Sequence, residues 1–397
     1  MSSSYRAVFA LPGARSLALS CGLGWLSFAS YGLALVLALE AATGSFAVAG
    51  GAVAAFSAAS ALLAPARGRL VDRRGARALP WFAAVHALAS ELVVLGCMAS
   101  LHPVLLLAAA GAAGASVPPL IATARAVWPT ITGPELARAG HAVNAALGDA
   151  GQVIGPALTG GIAVLVSPLV ALAVLAPGVV IGSILIAARA PDGAGPVVRP
   201  AEHRVWGVLG ESPALRAVVL CELLLGGSFG ALDVAAPVVA AEAGAAELAA
   251  IPLAAFAVGS VAMSIWSGTA RLDKPAASRY VLGCVVVAVA LLACLVTTTL
   301  AGLTIVLVGA GLGYGLLNVA VFELLEQIVA QDRAVEAFTW LTTWAGVGLA
   351  AGAIVAGQLS GAGPARTLAS VSIPALLAAG VAVGAGPRLL GPDRRAR

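Results

Sequence analysis

Apolar runs fall at about 15–40, 45–66, 78–99, 103–127, 137–166, 168–189, 213–241, 246–270, 279–299, 301–329, 334–360 and 365–386, with short polar stretches between them. Each is near the ~20 residues a helix needs to cross bilayer hydrocarbon. None alternates with the two-residue period of a barrel strand. Helices are the expected element, because lipid offers the backbone no hydrogen-bond partner. The runs before Gly44 and after Pro103 lie only a few residues from their neighbours, which predicts antiparallel hairpins. The pattern therefore predicts an all-α membrane protein with twelve transmembrane helices.

Composition agrees. Of 397 residues, 60% are hydrophobic and 10% charged, and the mean hydropathy is +1.01. Soluble domains carry about 25% charged residues, so this chain cannot cover a soluble core. Disorder and a disulfide scaffold are excluded on the same grounds. Cys21, Cys97, Cys221, Cys284 and Cys294 sit in apolar stretches without a CxxC pair and read as small core residues. The start, MSSSYRAVF, has no cleavable pattern, and the first run is too long for a signal peptide, so an uncleaved first helix is expected.

The net charge of +4 would hint at nucleic acid in a soluble protein. Here its placement matters more, and no nucleic-acid partner is expected. With twelve spans, 21 of the 22 basic residues fall on one side and only Arg366 on the other. Basic loops stay in the cytoplasm, so both termini are expected there, in a multi-pass protein of the plasma membrane.

The longest polar connection, 189–212, divides the chain into six-span halves, 1–188 and 213–387, with a cytoplasmic tail at 388–397. The halves echo each other. Ala54-Ala55-Phe56 matches Ala254-Ala255-Phe256, and Gly68 matches Gly268, at an offset of 200. Gly151, Gly155 and Gly160 match Gly348, Gly352 and Gly357 at an offset of 197. Two pseudo-symmetric six-helix bundles around a site near the midplane form a secondary-transporter architecture.

Between the second and third spans, residues 68–77 read GRLVDRRGAR. This resembles the G-x-L-x-D-R-x-G-x-R loop signature of the major facilitator superfamily. The resemblance implies a gating loop carried by Gly68, Asp72, Arg73, Gly75 and Arg77. Its acid would latch the loop to the start of the eleventh helix, here Asp332 to Glu336, in the outward-open state. Residues 268–274 carry a degraded second copy. In the fifth span, residues 151–161 read GQVIGPALTGG and look like the superfamily's antiporter signature. Gly151, Gly155, Pro156 and Gly160 are its packing residues, which the family associates with export. The plain alternative is a glycine-rich packing face. Pro118-Pro119 with Arg125-Ala126-Val127-Trp128, and the run from Glu336 to Thr343, resemble actinobacterial drug:proton antiporter-like exporters. One departure stands out: Arg125 lies at the cytoplasmic end of its span, and the first span has no acid before Glu40. The usual coupling residues of those exporters therefore do not carry over.

A charge at bilayer centre costs about 2.5–3.5 kcal/mol on insertion scales, which makes intramembrane acids candidates for proton coupling. These are Asp149, Asp233, Glu222 and Glu91. Asp149 either exchanges a proton or holds a fixed inter-helix hydrogen bond. Glu222 and Asp233 are eleven residues apart, three helical turns, and share a face. His86 and Glu91 form either a local polar patch or a proton path. Candidates for a substrate cavity are Arg125, Asn144, Asn318, Tyr31, Trp25, Phe229, Tyr314 and Trp340, although Trp and Tyr also anchor helix ends at the interface.

Gly226-Gly227-Ser228-Phe229-Gly230 fits G-x-S-x-G, leaving an intramembrane serine hydrolase as a distant alternative. No phosphate-binding loop or metal-ligand spacing appears, so no cofactor is expected beyond the proton gradient. The chain reads as a monomeric, non-enzymatic transporter embedded in membrane lipid. It is expected to drive proton-coupled efflux of a small lipophilic compound, a drug or natural product, by alternating access. Proton-coupled import of a polar metabolite is the second reading.

Overall fold

The computed structural model describes residues 2–189, 212–245, 248–269, 274–297, 299–329 and 334–390. The linker 190–211 and the tail 391–397 lie outside them. The regular elements among the described residues are helices: α1 (Ser2–Ala10), α2 (Ala14–Thr43), α3 (Phe46–Arg74), α4 (Leu79–Met98), α5 (Pro103–Ala115), α6 (Leu120–Leu165), α7 (Pro168–Ala173), α8 (Leu175–Ala187), α9 (Pro213–Glu242), α10 (Ala250–Thr269), α11 (Ala276–Ala293), α12 (Leu300–Ile328), α13 (Ala334–Leu359) and α14 (Pro364–Leu390). Ten helical segments are long and apolar enough to cross a membrane, α7 and α8 counting as one. Two shorter apolar helices, Pro103–Ala115 and Ile154–Leu165, fall where the fourth and fifth of the twelve spans were expected.

Starts are written in the sequence. Ser212 accepts a hydrogen bond from Leu215 N at 3.2 Å ahead of Pro213, and Ser167 does the same for Val170 N at 3.1 Å ahead of Pro168. A capping hydroxyl followed by proline at the first helical position satisfies one free amide and presets φ.

Two breaks differ from the expected continuous spans. The fourth is interrupted at Ser116 to Pro119, because two consecutive prolines remove two N–H donors and disfavour helix before them. Conversely, the loop expected after Trp128 shrinks to one kink residue in α6, Gly133, at φ 66° and ψ 175°. That region is open essentially to glycine alone. The stretch 68–77 is also mostly helical: α3 runs through Arg74, and the turn is confined to Gly75, at φ 72°.

The chain forms two compact units: Met1–Gly44 with Leu62–Ala201, and Ser45–Ala61 with Glu202–Arg397. In the first unit, α6 lies against α2 along a glycine face. A Cβ at Gly151 would sit 2.9 Å from Trp25 Cβ, and one at Gly155 2.7 Å from Ser30 Oγ. In the second unit, α13 lies against α9 backbone to backbone. A Cβ at Gly348 would meet the Leu223 carbonyl oxygen, and one at Gly352 the Gly227 carbonyl oxygen. Two of the three glycine pairs of the internal repeat, Gly151 with Gly348 and Gly155 with Gly352, thus make close helix contacts in each unit. Gly357 approaches Gly50 of α3. All five cysteines are buried and free.

Candidate functional site

The second unit holds the denser set of functional side chains. Glu222, Phe229 and Asp233 follow one stripe of α9, spaced by seven and four residues. All three are partly buried. Phe229 meets Phe256 of α10 at a centroid distance of 5.2 Å and Tyr314 of α12 at 4.9 Å, edge to face. Phe256 and Tyr314 close the triangle at 5.6 Å. Tyr280 of α11 directs its hydroxyl to Glu222 Oε1 at 3.5 Å. Among the described residues, no side chain hydrogen-bonds or ion-pairs with Asp233. An aromatic triad thus packs beside two acids that lack a cationic partner among the described residues, in the middle of a helix whose other charged residues, Arg216 and Glu242, stand at its ends. Asn318 lies partly buried on α12, and Trp340 partly buried on α13.

In the first unit the polar residues are tied together. Tyr31 of α2, 2% exposed, shares a 2.6 Å hydrogen bond with Ser90 of α4 and rests on the His86 ring at 5.3 Å. His86 Nδ1 donates to the Ala113 carbonyl at 2.8 Å. Arg67 of α3 donates through Nη1 to the Gly114 and Ala115 carbonyls, both at 2.9 Å. These carbonyls belong to the last turn of α5, where the fourth span breaks. Their lost helical partners are replaced by side chains, as buried backbone demands. Glu91, the next residue after Ser90 on α4, lies partly buried.

Asn144 is 3% exposed, and its Oδ1 has no partner among the described residues. The Trp25 indole lies one turn further along α6: a Cβ at Gly148 would stand 3.2 Å from Trp25 Nε1, and that nitrogen is also unpartnered among the described residues. Asp149, Arg125 and Asp72 sit on α6, α6 and α3, with side chains outside the described set. The latch segment 332–336 does too, in whole or in its side chains. Gly68 faces open space, Arg73 and Arg77 are exposed, and Pro156 and Gly160 are buried.

Sequence reasoning missed three partners. Phe256 was visible only as part of the repeat, although it completes the aromatic triad. Tyr280 and Arg279 open an apolar run and gave no separate signal, yet Tyr280 reaches Glu222 and Arg279 forms a two-pronged ion pair with Glu323. Ser228 is fully buried, its hydroxyl turned to the Leu224 carbonyl at 3.5 Å, a poor setting for a nucleophile.

A family model described as Major Facilitator Superfamily matches residues 17–353. No curated protein matches the chain at a significant level. Among solved structures, a bacterial homologue of the human lysosomal transporter Spinster, inward-facing and unoccupied, superposes with a TM-score of 0.72 at 15% identity, covering 95% of this chain and 98% of that one. A mutant of the nucleoside transporter NupG gives 0.71 at 12% identity, covering 96% and 99%. A bacterial homologue of the iron transporter ferroportin, inward-facing, gives 0.71 at 15% identity, covering 94% and 98%. At these identities the likeness is one of fold.

Proposed function

The chain belongs to the Major Facilitator Superfamily, and from that premise we propose that it exports a small lipophilic organic compound across the plasma membrane in exchange for protons. Members of this superfamily are transporters that work as single chains on small molecules, which sets the coarse function. The finer reading rests on the α9 stripe. Glu222 and Asp233 carry no counter-cation among the described residues, although a lone charge in hydrocarbon is costly. A carboxyl group in that position is stable when protonated, or when a ligand answers its charge. Binding substrate and binding a proton are then alternatives at one helix face, which is the requirement for exchange. The aromatic triad beside it offers faces for a planar or amphiphilic body.

Asp149 takes a proton-carrying role in the first half, and Glu91 a lesser one. Arg125, Asn144, Trp25, Tyr31, Asn318 and Trp340 contribute to substrate contact. Gly68, Asp72, Arg73, Gly75 and Arg77 gate the cytoplasmic side.

The test is flux in proteoliposomes under an imposed pH gradient. An exporter moves substrate against the inward flow of protons, and collapsing the gradient stops it. Asp233→Asn and Asp149→Asn are each expected to remove the driven flux while leaving substrate exchange at equal pH intact. Driven flux unchanged in both variants rejects proton coupling through these acids. Substrate accumulation in the same direction as the protons supports import instead.

A further inference from the structure

Where α9 begins and α14 ends, a groove of about 400 Å³ opens at the surface of the second unit. Pro213, Arg216, Ala217 and Leu220 form one wall, at the i, i+3, i+4, i+7 positions of a single helical stripe. Val381, Gly384 and Ala385 of α14 form the other. The groove therefore runs about two turns along the helices, roughly 10 Å. It is not a gap awaiting a neighbouring side chain. A Cβ at Gly384, or at Gly380 one turn earlier, would meet nothing within 4 Å, so the absence of side chains there leaves open space.

Among the described residues, Arg216 is the one charged side chain in the lining. It is exposed, and among the described residues it has no hydrogen-bond or ion-pair partner. It also stands in the first turn of α9, which contains no acidic residue. The positive end of the helix dipole lies there, so a cation in that turn is opposed rather than stabilised by its own helix. Two positive features thus converge at the mouth of an apolar channel, and among the described residues no acid answers them.

The geometry points to a binding site for an anionic phospholipid, specifically phosphatidylglycerol. Its phosphate would meet the Arg216 guanidinium, and one acyl chain would lie along Leu220, Val381 and Ala385. A free phosphate ion would satisfy the arginine but leave the groove empty. A zwitterionic lipid would fill the groove but bring its own cation to the arginine. The site is distinct from the acid and aromatic stripe of α9 and does not depend on which compound is carried, or in which direction.

Lipid retention on the purified full-length protein tests it, read by native mass spectrometry after incubation with equimolar phosphatidylglycerol and phosphatidylcholine of matched chains. Other basic residues also attract anionic lipid, so the readout is the difference between wild type and variant. Wild type is expected to prefer phosphatidylglycerol, and Arg216→Gln to lose about fivefold of that preference, the worth of one basic residue near an anionic surface. Arg216→Lys should keep most of it. Gly384→Leu, which fills open space, should lower retention of both lipids without shifting the melting midpoint. Equal retention of the two lipids by wild type, or an unchanged preference in Arg216→Gln, overturns the proposal. Neither result would bear on proton-driven flux.

Discussion

Arg67 illustrates how a single residue acquires a role its neighbourhood does not announce. In sequence it is the first of five arginines in a basic stretch, and its meaning there is topological. In the structure it is 7% exposed and bonds the end of a helix 47 residues away. Burial pushes its pKa down to about 10, so the guanidinium remains charged at neutral pH and faces the negative end of the α5 dipole. Replacing it with methionine keeps the bulk and strands the Ala115 carbonyl, while Gly114 O keeps the Val117 N–H at 3.4 Å. Arg67→Met is expected to cost about 1–3 kcal/mol for the carbonyl left unmet, read as a lower melting midpoint in detergent, with Arg67→Lys intermediate. A wild-type midpoint in Arg67→Met would show that water or another group serves that carbonyl. Tyr31 makes the complementary point. Its residue type suggests a substrate surface, and the structure adds a second role, a hydroxyl shared with Ser90 of α4. Such pairs are illegible in sequence because each partner comes from a different helix.

Among elements, hydropathy located the helices within a few residues but did not mark their interruptions. A window average measures how apolar a segment is over about twenty residues, and the four-residue break at Ser116 to Pro119 is too short to lower it. The two prolines were the available signal, and they act through missing donors rather than polarity. Gly133 works the other way: polar neighbours suggested a loop, while one residue with positive φ suffices to redirect α6. Gly133→Ala is expected to cost about 1–3 kcal/mol from backbone strain alone, measurable as a lower melting midpoint, even though a Cβ there would meet no neighbouring atom within 4 Å. The glycine repeat was legible, because its spacing of 197 residues pairs Gly151 with Gly348 and Gly155 with Gly352, each closely packed on a neighbouring helix. At Gly352 the cost is one of space. Gly352→Val must push α13 away from the Gly227 carbonyl and is expected to lose about 1–3 kcal/mol by overpacking. Gly384→Ala should be silent in the same assay, and equal losses at the two sites would refute this account of the α9–α13 contact.

For the molecule as a whole, membrane class and family could be read from the chain because they follow from sums: apolar length, basic residues by side, and one extended signature. The proposed site could not, since it depends on Phe256 and Tyr280 arriving beside α9 from helices the sequence leaves unordered in space. Orientation is open to direct measurement. With all five native cysteines buried, a single introduced thiol reports its own side of the membrane. Arg77→Cys and Lys274→Cys are expected to react with an impermeant maleimide only from the cytoplasm, and Arg366→Cys only from outside; any reversal would invert or break the twelve-span arrangement. The α9–α13 contact also limits how this protein can change its cargo over generations. The side of α9 that carries Gly226 and Gly230 is pressed against the main chain of α13, so almost any replacement there is lethal to assembly before it can alter selectivity. If the α9 stripe carries the cargo as proposed, variation that retunes the carrier is channelled to the adjoining stripe at positions 222, 229 and 233, about 60° around the same helix, where surviving changes in selectivity should concentrate.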